Sequence, residues 1–217
     1  MGTRRAGEVV PGRVTKVLSV GVVVWIGDGA EGVIRERATG RFEPGEVVMV
    51  EIAEVEGRRI ALRATGERVP RAVAVVVDGS RVLLIKRFLR QKHNCVMCED
   101  AGRQGEACLG HHYAVLPGGH VEPGETAAEA AVRELHEETT LRATAGPLLW
   151  SGRHNGRAAH YFLMTDVEGV PVLSGQEAAD HNADNSFELL WATADEFATL
   201  GLHPAEVRVP LTELLGP

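Results

Sequence analysis

The sequence predicts two modules, a small all-β barrel over residues 1–66 and an α/β domain over residues 71–217, joined by a linker at 67–70. Three observations carry this. The first sixty or so residues hold five short β-type runs and no helical stretch of useful length. From Arg71 onward, strand-like and helix-like runs are mixed, as in a layered α/β domain. Charge divides along the same line. Residues 1–66 hold ten Lys and Arg against nine Asp and Glu, whereas the remainder holds 13 against 21, within an overall net charge of −7.

The barrel runs are "VVPGRVTKVL", "GVVVWIG", "EGVIRER", "EVVMVEIAEVEG" and "RRIALRA", punctuated by Gly, Pro and Asp. Polar "TGERVP", Thr65 to Pro70, supplies the linker. "AVAVVVDGSRVLLIKR" then reads as a β-hairpin turning at Asp78-Gly79. "HYAVLPGG" is a strand ending in glycines, and a helix follows from Thr126 to Thr139. "RAAHYFLMTDV" and "FELLWAT" read as strands, "ADEFATL" and "PAEVRVPLTELL" as helices. No run approaches the roughly 18 apolar residues of a membrane span. The basic N-terminus leads into no sustained apolar region, so a cytoplasmic protein with no membrane partner is expected. Three cysteines suit a reducing compartment better than a disulfide framework.

The stretch "LPGGHVEPGETAAEAAVRELHEETTL" crowds six glutamates around one helix. Thr126 can cap it, with Glu129 as capping-box partner. At about 100° per residue, Ala128, Ala131, Val132 and Leu135 form a core face. Glu134, Glu137 and Glu138 share another arc, beside Ala127 and Ala130, which leave room for a ligand. Arg133 adjoins Glu137 and can orient it. A merely solvated helix face would need more Lys or Arg among the glutamates than Arg133 alone. Three carboxylates on one face form a hard-oxygen site suited to Mg2+ or Mn2+. Gly118 and Gly119 allow backbone to approach metal or phosphate without an intervening Cβ.

Gly119, five residues, Glu125, seven residues and then "RELHEETTL" resembles the Nudix box. Lys86-Arg87 before it and "NSFELLW" after it extend the resemblance over about residues 71–217. The resemblance implies an α/β/α sandwich and a hydrolase that splits a nucleoside diphosphate linked to another group. It implies that Glu134, Glu137, Glu138 and the Gly119 carbonyl bind divalent cations. Glu125 and Arg133 would pair to hold the loop on the helix. Catalysis would rest on Glu137, Arg133 and Glu134, with Glu137 positioning or deprotonating the water. Glu177 or Glu188 is the alternative base. Gly118, Gly119, Lys86 and Arg87 are the expected substrate contacts. One position departs: Thr140 stands where the family has a glycine that ends the helix turn.

All three cysteines lie in an insert at residues 91–112, with the spacing Cys95-x2-Cys98-x9-Cys108-x2-His111. Two such tight pairs can complete a tetrahedron around a structural zinc. His112 is an alternative to His111. An exposed redox loop or an unliganded loop is the alternative to zinc.

Residues 8–64 resemble the ribosomal S-one RNA-binding domain, an OB-fold barrel. The match rests on Gly12-x-Val14, Gly21-Val22-Val23-Val24, Gly29-Ala30-Glu31-Gly32 and Gly45. Where that family commonly stacks bases on aromatic rings, this chain has Val20, Val23 and Arg35. Trp25 shares the Val23 side, and Lys16, Arg35, Arg37, Arg58 and Arg59 could meet phosphates. The barrel would thus bind RNA, or only position or dimerise the enzyme. His120 and His136 flank the metal face but read as surface residues. Trp150, Tyr161, Phe162 and Trp191 read as core. Asn155, Arg157 and His160 are substrate candidates. The expected activity is Mg2+-dependent cleavage of a pyrophosphate bond in a nucleotide derivative. RNA 5′-end pyrophosphate removal is the alternative within enzymes, and a non-catalytic nucleotide- or RNA-binding regulator is the competing class.

Overall fold

The computed structural model of the chain describes residues 4–18, 20–35, 42–57, 59–93, 97–98 and 107–216. Of the predicted site residues, Arg37, Arg58 and Cys95 lie outside these. The chain forms two compact units. One comprises Met1–Ala72, His120–Ala130 and Gly152–Ala159, the other Val73–Gly119, Ala131–Ser151 and His160–Pro217.

In the first unit, β1 (Val9–Leu18), β2 (Gly21–Trp25), β3 (Glu31–Ile34), β4 (Val47–Glu56) and β5 (Arg59–Ala64) close into a barrel in the order β1-β2-β3-β5-β4. Each of the five predicted runs contains one of these strands. Neighbours pair antiparallel, except that β3 and β5 run parallel. Strict alternation puts Val22, Val24 and Ile26 inside with Val14, Ile34, Val50, Ile52 and Leu62. Each such burial contributes about 1.5–3 kcal/mol. Gly12 is a packing requirement, because a Cβ there would run into Val24 Cγ1. Arg13 of β1 forms an ion pair with Glu122 in the loop ahead of the glutamate helix.

The later strands are β6 (Arg71–Val75), β7 (Val77–Asp78), β8 (Arg81–Leu89), β9 (His111–Val115), β10 (Gly118–His120), β11 (Arg142–His154), β12 (Arg157–Glu168) and β13 (Asn185–Ala192). They make one sheet in the order β10-β6-β12-β11 and another in the order β13-β8-β7, with β9 also paired to β8. Helices α1 (Ala127–Thr139), α2 (Gly175–Ala179) and α3 (Arg208–Leu215) accompany them.

Four expectations about elements are corrected. The hairpin at Asp78-Gly79 is only β7–β8, while β6 belongs to the other sheet. Residues 72–75 are all buried, so the alternation that would have revealed the switch is missing. "HYAVLPGG" is two strands, β9 and β10, in different sheets. Pro117, which has no N–H, stands at the break. "ADEFATL" shortens to a 3-10 turn at Ala194–Glu196, and "PAEVRVPLTELL" divides into Ala205–Val207 and α3. Strand β11 was not among the predicted elements, since Gly146 and Pro147 interrupt its pattern. Among the described residues, no helix is long and apolar enough to cross a membrane.

Helix α1 begins as the sequence predicts. Thr126 N–H donates to Glu129 Oε2 at 2.7 Å, and Glu129 N–H donates to Thr126 Oγ1 at 3.2 Å. The Thr126 backbone, and then its hydroxyl, hold the Glu129 carboxyl below its usual pKa. The helix ends at Thr140, whose φ is +61°. That conformation suits glycine and strains a β-branched residue. The position therefore still adopts the backbone that a glycine would relieve. Thr140→Gly is expected to raise folding stability by about 1 kcal/mol, read as a higher denaturant midpoint at unchanged slope.

Candidate active site

The acidic face of α1 is built against strand β10. Glu138 is only 7% exposed, and its Oε2 accepts the Gly118 N–H at 2.8 Å. A buried carboxylate requires strong donors or cations, and this one has a donor fixed in a strand. Gly119 lies directly on Glu134, and a Cβ on residue 119 would overlap that carboxylate. Arg133 Nη1 donates to Glu134 at 2.9 Å and to Glu137 at 3.0 Å. Two of the three carboxylates, Glu134 and Glu137, thus share one guanidinium.

Burial separates the three. The side chains of Glu134 and Glu137 are 16% and 53% exposed. Glu134, Glu138 and the Gly119 backbone therefore form the enclosed part of an oxygen-donor set that matches Mg2+ or Mn2+. Glu137 is the carboxylate open to solvent. Among the described residues, the three glutamates are not drawn to a single point. The group of three whose ligand atoms all lie within 4.8 Å of one another is Cys98, Cys108 and His111.

The C-terminal end of α1 is secured by Ser174, which the sequence reading did not single out. Its hydroxyl donates to the Glu137 carbonyl at 2.5 Å, and its N–H donates to the Glu138 carbonyl at 3.0 Å. A serine 36 residues beyond Glu138 leaves no local signal of this role. Gly175 follows with φ +64°, and a Cβ there would stand 2.7 Å from the Glu137 carbonyl oxygen.

Of the other candidates, Lys86 pairs with Glu188 at 3.2 Å across β8 and β13. Glu188 is thereby engaged by a cation. The Arg87 guanidinium lies 4.5 Å from the Phe187 ring centroid and 5.7 Å from that of Tyr113. Its Nε is buried without a hydrogen-bond partner among the described residues. Glu125 Oε1 accepts the Glu122 N–H at 2.5 Å within the loop before α1. Burial first, and then Arg157 and Arg71, push the His120 pKa below its usual value, while Glu122 opposes them. Asn155 O accepts a hydrogen bond from Arg68 at 2.8 Å, and His160 Nδ1 lies 2.9 Å from Ser151 Oγ. His136 contacts the Leu141 carbonyl at 3.1 Å. Trp150 stacks on buried Tyr161 with ring centroids 4.8 Å apart, and Arg81 lies over Trp191 at 5.9 Å.

On the barrel, a groove of about 790 Å³ is lined by Val20, Val23, Arg35 and Arg59 among others. Trp25 is not part of its lining, and Glu31, Glu54 and Glu56 are.

Residues 68–211 match the NUDIX domain family. The chain is 32% identical over 108 residues to an RNA pyrophosphohydrolase of Erythrobacter litoralis, covering 39% of this chain and 62% of that protein. It is 35% identical over 97 residues to a CTP pyrophosphohydrolase of Escherichia coli, covering 44% and 65%. A solved structure of a MutT NUDIX hydrolase from Burkholderia pseudomallei is 25% identical with a TM-score of 0.43, covering 66% of this chain and 95% of that one. The chain thus spans less than two thirds of the length of either curated relative.

Gly119→Ala is expected to push Glu134 aside and weaken Mn2+ binding about tenfold or more, with the circular dichroism spectrum unchanged. Calorimetric titration against the parent chain checks this.

Proposed function

The chain belongs to the Nudix family, and from that premise we propose that it is a hydrolase, dependent on Mg2+ or Mn2+, that cleaves a pyrophosphate bond in a nucleoside diphosphate derivative. The observation that carries this reading is the packing of the Gly118-Gly119 strand onto Glu138 and Glu134, with Arg133 between Glu134 and Glu137. Glu134, Glu138 and the Gly119 carbonyl would hold the ion, with Glu137 at the open edge. When bound, the ion neutralises phosphate charge and makes a nearby water more acidic.

The residues of this chain divide the remaining work. Glu137 accepts the proton of the attacking water at its carboxylate, because it is the member of the set that water reaches. Arg133 fixes the orientation of that carboxylate. Arg87, held against Phe187 and without an ion pair among the described residues, presents positive charge to the phosphate chain. Glu188, paired with Lys86 at 3.2 Å, is the alternative base. A pure nucleotide-binding regulator would have no need of a buried Glu138 beside Glu134, since taking a carboxylate out of water costs free energy.

A second reading is removal of pyrophosphate from a 5′-triphosphorylated RNA, with the barrel holding the strand. The groove with Arg35 and Arg59 supports it, as does the similarity to an RNA pyrophosphohydrolase. It ranks second because Glu31, Glu54 and Glu56 share that groove and, among the described residues, no aromatic ring lines it.

Chromatographic identification of the products from nucleoside triphosphates, ADP-ribose, dinucleoside polyphosphates, nucleotide sugars and triphosphorylated RNA separates the readings. Glu137→Gln should lower kcat roughly 10²–10⁴-fold, while Glu188→Gln keeps most activity. A Glu177→Gln variant that loses as much would move the base to Glu177. If RNA is the substrate, Arg35→Glu and Arg59→Glu should weaken RNA binding and lower its salt slope by about 1 each. Hydrolysis of small nucleotides by these two variants should stay unchanged.

A further inference from the structure

The hydrolase chemistry leaves the cysteine-rich connection between β8 and β9 without a role. In its described part, Cys98 and Cys108 are 0% and 4% exposed. Met97 is the side chain packed against them. Among the described residues, two thiols and one methionine are too little apolar material to keep these side chains inside by burial alone. Something other than a hydrophobic core must hold them inside.

His111 is placed independently of them. It is the first residue of β9 and pairs with Leu89 of β8, which is held on its other edge by β13. Its Nε2 lies 3.1 Å from Cys98 Sγ, and the Cys98, Cys108 and His111 ligand atoms all fall within 4.8 Å of one another. A tetrahedral ion bonded at about 2.3 Å to sulfur and about 2.0–2.1 Å to nitrogen keeps its ligand atoms about 3.5–3.8 Å apart. The observed set lies around that spacing. Cys108 and His111, three residues apart, can bite one ion from a single turn. Successive residues of a strand point to opposite faces, so one of the two adjacent histidines can join the cysteines. His112 is occupied elsewhere, with its ring 4.6 Å from that of Phe88.

We propose that Cys98, Cys108 and His111 bind one zinc ion, and that this ion pins the β8–β9 connection to the edge of the sheet. Two sulfurs and an imidazole select zinc over the hard cations suited to the glutamates. The ion is structural and lies outside the hydrolase reaction. The inference therefore does not rest on the hydrolase reading.

Metal analysis of the purified 217-residue chain tests it. The expected result is about one zinc per chain, falling at least about tenfold in Cys98→Ser, Cys108→Ser and His111→Ala and unchanged in His112→Ala. Should the cysteine variants fail to fold, the parent chain decides alone. After chelator treatment, Co2+ should restore about one equivalent of a tetrahedral thiolate spectrum. No zinc and no cobalt spectrum would overturn the proposal. So would full zinc in folded Cys98→Ser and His111→Ala, or a Cys98–Cys108 disulfide in the intact mass. These readouts measure metal and not turnover, so a failed zinc test and a failed hydrolase test remain distinct results.

Discussion

One buried carboxylate organises the acidic helix. Glu138 has lost nearly all contact with water, and its charge is accommodated by the Gly118 N–H at 2.8 Å. A backbone donor cannot swing away as a lysine could, so this bond ties strand β10 to helix α1 at a fixed height. Once that height is set, Gly119 is pressed onto Glu134, and any side chain at 119 would displace the carboxylate. The glycine at 119 is thus a steric consequence of where Glu138 is anchored. An apolar residue at 138 would avoid the desolvation of a carboxylate.

The graded exposure of the glutamates follows from the same anchor. Glu138 is enclosed, Glu134 is largely covered by Gly119, and Glu137 reaches solvent on the far side of Arg133. A single guanidinium serves two of them, which leaves the set with excess negative charge. Beyond the helix, Ser174 takes over the Glu137 and Glu138 carbonyls that α1 leaves without helical partners. Thr140 turns the chain in a conformation that costs a β-branched residue strain. The exit is therefore held by contacts from a distant segment rather than by a favourable local sequence.

The chain separates its donor chemistries. Oxygen donors gather on α1 and β10, whereas sulfur and imidazole donors gather at the β8–β9 connection. Hard and soft ligands sort hard and soft ions by their own preferences. Two kinds of ion can then serve one chain without exchanging places.

The sequence by itself determined the barrel strands, the cap and span of α1, the glutamate spacing and the Cys/His spacing. These are local matters, fixed by hydrophobic period, by capping chemistry and by intervals of three and four residues. Family membership was legible for the same reason, since the Nudix box is one continuous stretch. Only the tertiary structure decided that β6 and β7 part into different sheets, because a strand buried on both faces carries no alternation to read. It alone decided that "HYAVLPGG" breaks at Pro117 and that Ser174 closes the end of α1. It also distinguished among residues the sequence left equal. Glu137 differs from Glu134 and Glu138 by exposure, and His111 differs from His112 by the face of β9 it occupies. Exposure and facing depend on what packs nearby, and that is set by residues far away along the chain.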